Sequence, residues 1–335
     1  MKNKIYKISV LCVCLFLLLG AVELSAQVAP KKGYAVINED VARDIVTTLA
    51  DDSFEGREAG LRGGEMAAKY IVSLLKKWDV KPFSASGYYQ EFESVKNQNN
   101  WITESDMQLD ELIASGCEKR TMKNILACIP GTGKGYVVVG AHYDHLGIDT
   151  TLVGDQCYNG ADDNASGVAA VLQLARAIKK SKEQPERTII FALWDGEEKG
   201  FLGSRFFVKR TPFLSEISAY MNFDMVGRAP FENVCNLSYI YSAANTAFGE
   251  WLQADVENYK LGLMPDYKAS KNLLGGSDNS PFARKGVPIV WYHTEGHSDY
   301  HRPSDTADKV NYEKLLEITR AAYLCLWRLA NEPSY

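Results

Sequence analysis

The sequence contains no C-x-x-C pair, no phosphate loop of the form G-x-x-x-x-G-K-S/T, no internal repeat and no low-complexity linker. Each absence removes a class of protein. Without a C-x-x-C pair a cysteine-ligated zinc site has no support. Gly131-Thr132-Gly133-Lys134-Gly135 is rich in glycine, but a β-prone run follows it rather than a helix, so it is expected to be a hairpin turn. Positive charge is not in excess: the formal net charge is −5 over 335 residues. Nothing in that balance favours nucleic acid as a partner. Beyond residue 26 no apolar run approaches the roughly 18 residues of a membrane helix, so no stable membrane association is expected there. Histidine is scarce as well, with only five in the chain.

The N-terminus differs in kind from the rest. Lys2, Lys4 and Lys7 precede an uncharged apolar run from Ile8 to Leu19, and Leu24-Ser25-Ala26 fits a signal-peptidase site. Residues 1–26 are therefore expected to be a signal peptide, and the mature chain to be periplasmic or secreted. An uncleaved anchor is the alternative. Cys12 and Cys14 lie within the apolar run and lack the small residue of a lipoprotein site. Five cysteines follow it: Cys117, Cys128, Cys157, Cys235 and Cys325. An odd number leaves at least one unpaired, while one or two disulfides are compatible with export. With 46% hydrophobic and 24% charged residues, residues 27–335 have the composition of one globular domain with ample core.

Hydrophobic periodicity predicts helices from Val41 to Ala50, Gly64 to Trp78, Ser166 to Lys179, Gly203 to Arg210, Thr246 to Tyr259 and Tyr312 to Asn331. Strands are predicted from Tyr88 to Val95, Met107 to Ile113, Asn124 to Ile129, Tyr136 to Ala141, Thr188 to Trp194, Ile217 to Met225, Leu237 to Ser242 and Pro288 to His293. Strands alternating with helices imply a mostly parallel central sheet covered by helices on both faces. In such sheets ligands bind beyond the carboxyl ends of the strands.

Those ends carry chemistry. The strand from Tyr136 runs into His142-Tyr143-Asp144, the strand from Thr188 into Asp195-Gly196-Glu197-Glu198, and the strand from Ile217 into Asp224. The strand from Pro288 leads to His293, His297 and His301, while Asp162-Asp163-Asn164 stands before a helix. Taken singly, each is ordinary: an Asp before a helix caps it, and a Glu pair is often solvated. Together, at one sheet edge, that many carboxylates repel one another unless a cation neutralises them. Imidazole and carboxylate without cysteine suit zinc best.

Five segments, taken in order, resemble a known family. They are Gly140-Ala141-His142-Tyr143-Asp144, Gly160 to Gly167, Asp195 to Gly200, Asn222 to Met225 and Asp299 to Thr306. They are similar to the signature segments of the co-catalytic zinc aminopeptidases, whose relatives include glutamate carboxypeptidases and glutaminyl cyclases. Phe54-Glu55-Gly56-Arg57 resembles the start of bacterial members, and the likeness spans roughly residues 40 to 330. It implies a zinc-exopeptidase-like three-layer sandwich and two zinc ions. Asp163 would bridge them, with His142 and Asp224 on one ion and Glu198 and His301 on the other. It further implies that Asp144 orients His142, and that Glu197 is the general base acting with a metal-bridging hydroxide on peptide substrates. Asp278 matches a further acidic position. Asn279 departs from the His often found there, and Leu274 takes the place of an oxyanion-holding tyrosine. Met225, Trp291 and Tyr292 are candidates for the side-chain pocket.

Three rival readings remain at this stage. A glutaminyl cyclase would commonly replace Asp162 and carry Trp at position 300, where this chain has Tyr. A carboxypeptidase would need a cation for the substrate carboxylate, for which Arg228 and Arg302 are near in sequence. A non-catalytic binding protein would usually have lost ligands. The oligomeric state is not legible.

Overall fold

The computed structural model describes residues 28–230 and 234–335. The expected signal peptide, residues 1–26, lies outside the described residues. Ten strands form one sheet: β1 (Lys81–Pro82), β2 (Tyr89–Asn97), β3 (Asn100–Thr103), β4 (Lys119–Ile129), β5 (Tyr136–His142), β6 (Thr188–Trp194), β7 (Ile217–Phe223), β8 (Asn236–Ser242), β9 (Met264–Ser270) and β10 (Ile289–His293). The helices are α1 (Lys31–Val36), α2 (Glu39–Leu49), α3 (Arg62–Lys77), α4 (Asp110–Ala114), α5 (Gly167–Ser181), α6 (Leu202–Arg210), α7 (Ala247–Tyr259), α8 (Asn279–Ala283) and α9 (Tyr312–Asn331).

The sheet order is β3-β2-β4-β6-β5-β7-β10-β8-β9, with β1 beside β4. The parallel arrangement expected from strand–helix alternation holds at the centre, where β6, β5, β7 and β10 run side by side in one direction. The flanks β4, β2, β3 and β8 join antiparallel. Register aligns the central strand ends, with His142 opposite Trp194 and Tyr292 opposite Phe223.

The central strands are apolar on both sides because helices cover both sides. Val137, Val139, Ala141, Ile189, Phe191 and Leu193 pack under α2, α3, α5 and α9. Val138, Ile190, Ala192 and Trp194 face the other way, against Phe207 of α6 and Phe282 of α8. Helix α5 is buried along nearly its whole length, as expected of a helix that is apolar nearly all round. Its N-terminus points to the edge where β5 ends, so backbone and sheet deliver their functional groups to one place.

Two sequence expectations change here. Met107 to Ile113 is not a strand: Asp110–Ala114 is a helical turn with Asp110 and Glu111 in its first turn. The strand in this region is β3, formed by Asn100–Thr103. Gly131 to Gly135 is not a hairpin turn, because β6 lies between β4 and β5. The linker instead bonds the approach to β6, with Thr132 N donating to Pro185 O at 2.9 Å and Gly133 N to Glu186 O at 2.8 Å. The five cysteines described are all free thiols. No helix among the described residues is long and apolar enough to cross a membrane.

Candidate metal centre

Every strand end singled out above reaches one cavity of about 240 Å³. His142 closes β5, buried to 1% exposure. Asp224 follows β7, Glu197 and Glu198 lie in the turn after β6, and His301 sits in the loop after β10. Met225 and His301 take left-handed backbone conformations, at φ 55 and 53°. Such strain in residues other than glycine concentrates where side chains must be aimed for function.

The donor atoms sort into two sets. His142 Nε2 lies 3.4 Å from Asp163 Oδ1 and 3.5 Å from Asp224 Oδ1. His301 Nε2 lies 3.1 Å from Asp163 Oδ2 and 3.3 Å from Glu198 Oε2. Bonds of about 2.0–2.1 Å in a tetrahedron place neighbouring ligands about 3.3 Å apart. The spacings in both sets match that edge. Asp163 supplies one oxygen to each set, so the geometry suits two ions sharing one carboxylate. Carboxylate and imidazole are also the donor chemistry zinc accepts.

Electrostatics point the same way. Burial pushes the Glu197 carboxyl well above its usual range, and Asp224, Glu198 and Asp278 add to the rise. Burial likewise raises Asp278 to about 7. Burial works against the charged form of His142, but Glu197, Asp144, Asp163 and Asp224 outweigh it and hold the ring well above the ordinary histidine value. His301 behaves alike, rising to about 10 because Asp163 and Glu198 overcome its burial. Without a metal, protons on the two imidazoles must balance this concentration of negative charge. A dication would do so at lower cost.

The surrounding hydrogen bonds fix the backbone that carries these groups. The Asp144 carboxylate does not reach His142 as expected. Its Oδ1 is 3.7 Å from His142 Nδ1, and the nearer acceptor, at 3.2 Å, is the Asp144 carbonyl. The carboxylate accepts instead from Glu197 N at 3.0 Å and Glu198 N at 3.4 Å, which anchors the turn bearing both glutamates. Asp305 accepts from the amides of Asp162 and Asp163 at 3.0 and 3.1 Å, setting the chain direction at the shared carboxylate. His293 Nδ1 donates to Asp224 O at 2.7 Å. Sequence reasoning gave Asp305 and His293 no role. Their positions in the quoted segment and at a strand end were the available signal.

Arg57 is the largest such omission. It is fully buried and donates to four carbonyls, those of Leu49, Tyr143, Asn159 and Gly160. It thereby ties α2 to the two loops that carry His142 and Asp163. Arg57→Met would leave those carbonyls without partners. We expect it to lower unfolding free energy by at least about 3 kcal/mol, read as a fall in denaturant midpoint at constant m-value.

The pocket candidates divide. Met225 and Trp291 line the cavity. Tyr292 does not: it points to the other sheet face, buried and stacked on Phe223 at 5.0 Å. Tyr300 takes a place in the wall, its ring 3.8 Å from that of His301. Leu274 is exposed and lines a different cavity. Gly276 sits so close to Trp291 that a Cβ there would come within 2.7 Å of the indole.

Comparison with known proteins bears on the family and the fold. The model of Peptidase family M28 matches residues 124–325. A probable leucine aminopeptidase of Arthroderma otae is 28% identical over 220 residues, covering 63% of this chain and 58% of its own length. The chain spans about half the length of the first curated relatives it matches. A zinc aminopeptidase from Bacillus subtilis has a similar fold, with TM-score 0.65 at 15% identity, covering 89% of this chain and 97% of that one. A glutaminyl cyclase from Porphyromonas gingivalis is similar too, with TM-score 0.62 at 17% identity, covering 86% and 98% respectively.

Proposed function

Because the chain belongs to peptidase family M28, we propose that it is an exported zinc aminopeptidase that removes N-terminal residues from peptides. The observation that carries this reading is the cavity wall: carboxylates and imidazoles at tetrahedral spacing, with no lysine or arginine among the described residues that line it. Among the described residues that wall holds no ammonium or guanidinium side chain to pair with a terminal carboxylate, as a carboxypeptidase would need. Arg228, the cation a carboxypeptidase would need, is engaged by Asp299 at 3.0 Å and lines a separate cavity. Arg302 does not line the metal-site cavity either. The cyclase reading is disfavoured by Asp162 and Tyr300.

His142, Asp163 and Asp224 would hold one zinc, and Asp163, Glu198 and His301 a second. Zinc there would supply water ionised near neutral pH and a Lewis acid for the scissile carbonyl. Glu197 is the free carboxylate beside them. It takes a proton from the attacking water and passes it to the leaving amine. Asp144 holds the Glu197 backbone so that the carboxylate faces the cavity. Met225, Trp291 and Tyr300 shape the pocket for the N-terminal side chain. Export rests on the sequence of residues 1–26.

A panel of free, N-blocked and C-amidated aminoacyl substrates, with N-terminal glutaminyl peptides, tests the assignment with and without a zinc chelator. Chelator-sensitive cleavage of free but not N-blocked substrates is expected. Ring closure without cleavage, or a requirement for a free carboxylate, would overturn it. Within the same panel, Trp291→Ala should widen the pocket. It is expected to raise kcat/KM for phenylalanyl over leucyl amide by about tenfold. An unchanged ratio would remove Trp291 from the specificity pocket.

A further inference from the structure

We infer that His145 is a positioning residue that sorts the two oxygens of Glu198, so that only Oε2 faces the second metal set. This rests on the zinc reading above. His145 lies three residues beyond His142 and is fully buried. Its Nδ1 is 2.8 Å from Glu198 Oε1, while Glu198 Oε2 lies 3.3 Å from His301 Nε2. An ionised carboxylate only accepts, so His145 Nδ1 carries the proton and donates it. The oxygen so engaged is turned from the cation, and Glu198 becomes a one-oxygen ligand.

Ligation by His145 itself fits less well. The 2.8 Å contact to Glu198 is shorter than the roughly 3.3 Å between neighbouring ligands of one zinc and has the length of a charge-assisted hydrogen bond. Nor does Asp163 compete for the same donor, since its Oδ2 is 3.8 Å away.

The ring has a slot built for it. A Cβ at Gly160 would come within 2.5 Å of His145 Cδ2 and 2.7 Å of Cγ, and Gly160 has φ +56°, so glycine alone fits there. The His145 backbone N–H donates to Arg57 O at 3.2 Å, tying the loop from the other side. His145 Nε2 is buried, with no hydrogen-bond partner among the described residues. The slot thus holds the ring at its Nδ1 contact.

Competitive chelator titration of the purified full-length protein would give two zinc dissociation constants, with thermal unfolding of the apo form recorded alongside. His145→Leu removes the donor at similar volume, and His145→Asn restores an N–H near the Nδ1 position. In His145→Leu the site that Glu198→Ala abolishes should lose about 10- to 100-fold in affinity while the other changes less than twofold. His145→Asn should recover most of that loss. Unchanged zinc affinities in His145→Leu, equal loss at both sites, or no rescue by Asn would each overturn this inference alone. A wild-type protein that binds no zinc would overturn the metal reading and this inference with it.

Discussion

Replacing Glu197 by Gln is expected to lower kcat about 10³-fold while leaving zinc content unchanged. The two neighbouring glutamates are chemically alike, and their surroundings divide the labour. Glu198 has both oxygens committed, Oε1 to His145 at 2.8 Å and Oε2 to the second donor set, 3.3 Å from His301 Nε2, and has none to spare for proton transfer. The Glu197 carboxylate has no such partners among the described residues. Its amide is tied to Asp144 at 3.0 Å, and its carboxylate lies in the cavity wall, where burial first and the nearby carboxylates second lift its proton affinity. A carboxyl raised in this way can take a proton from water and still release it to an amine. Gln keeps the shape and the backbone anchor but cannot carry the proton. Metal analysis beside steady-state kinetics checks both halves of the claim. Retained turnover with zinc bound would disqualify Glu197 as the base, and lost zinc would make it a ligand instead.

Asp163→Ala should produce a protein that binds neither ion and has only the activity left after exhaustive chelation. Asp163 Oδ1 belongs to the set with His142 at 3.4 Å and Oδ2 to the set with His301 at 3.1 Å. One substitution therefore removes a ligand from each set. Asp224→Ala and Glu198→Ala each touch a single set, and each is expected to keep the ion of the other. Zinc-to-protein ratios after dialysis, near zero for Asp163→Ala and near one for the other two, would establish the shared role. An Asp163→Ala protein that still holds one ion would show that the carboxylate serves one site only. The surroundings support the folded state of the variant, because Asp305 grips the main chain of residue 163 through its amide rather than through the side chain that is removed.

Much of this was legible in the chain. The ligand candidates were visible because polar groups stood where apolar strands ended, and an α/β sheet collects its functional groups at that edge. Helix α9 could be read to the residue, since twenty amphipathic positions between Asn311 and Glu332 leave periodicity little ambiguity. Edge strand β9 was not legible: its sequence, Met-Pro-Asp-Tyr-Lys-Ala-Ser, alternates too weakly, because an edge strand buries little. The sheet order was equally hidden. Nothing local to Gly131 to Gly135 tells that β6 enters between the two strands they connect.

The sequence by itself determined most element types, the family and the candidate groups for holding metal, because residue identity and spacing carry that information directly. Tertiary structure alone decided which oxygen faces which imidazole, that Asp144 grips the glutamate turn rather than His142, that Tyr292 leaves the pocket to Tyr300, and that Arg57 and His145 stand behind the ligands. These are relations between segments more than a hundred residues apart in places, as for His301 and Asp163. They depend on ångström-scale register and on burial, which exist only once the sheet has formed and the helices have closed over it.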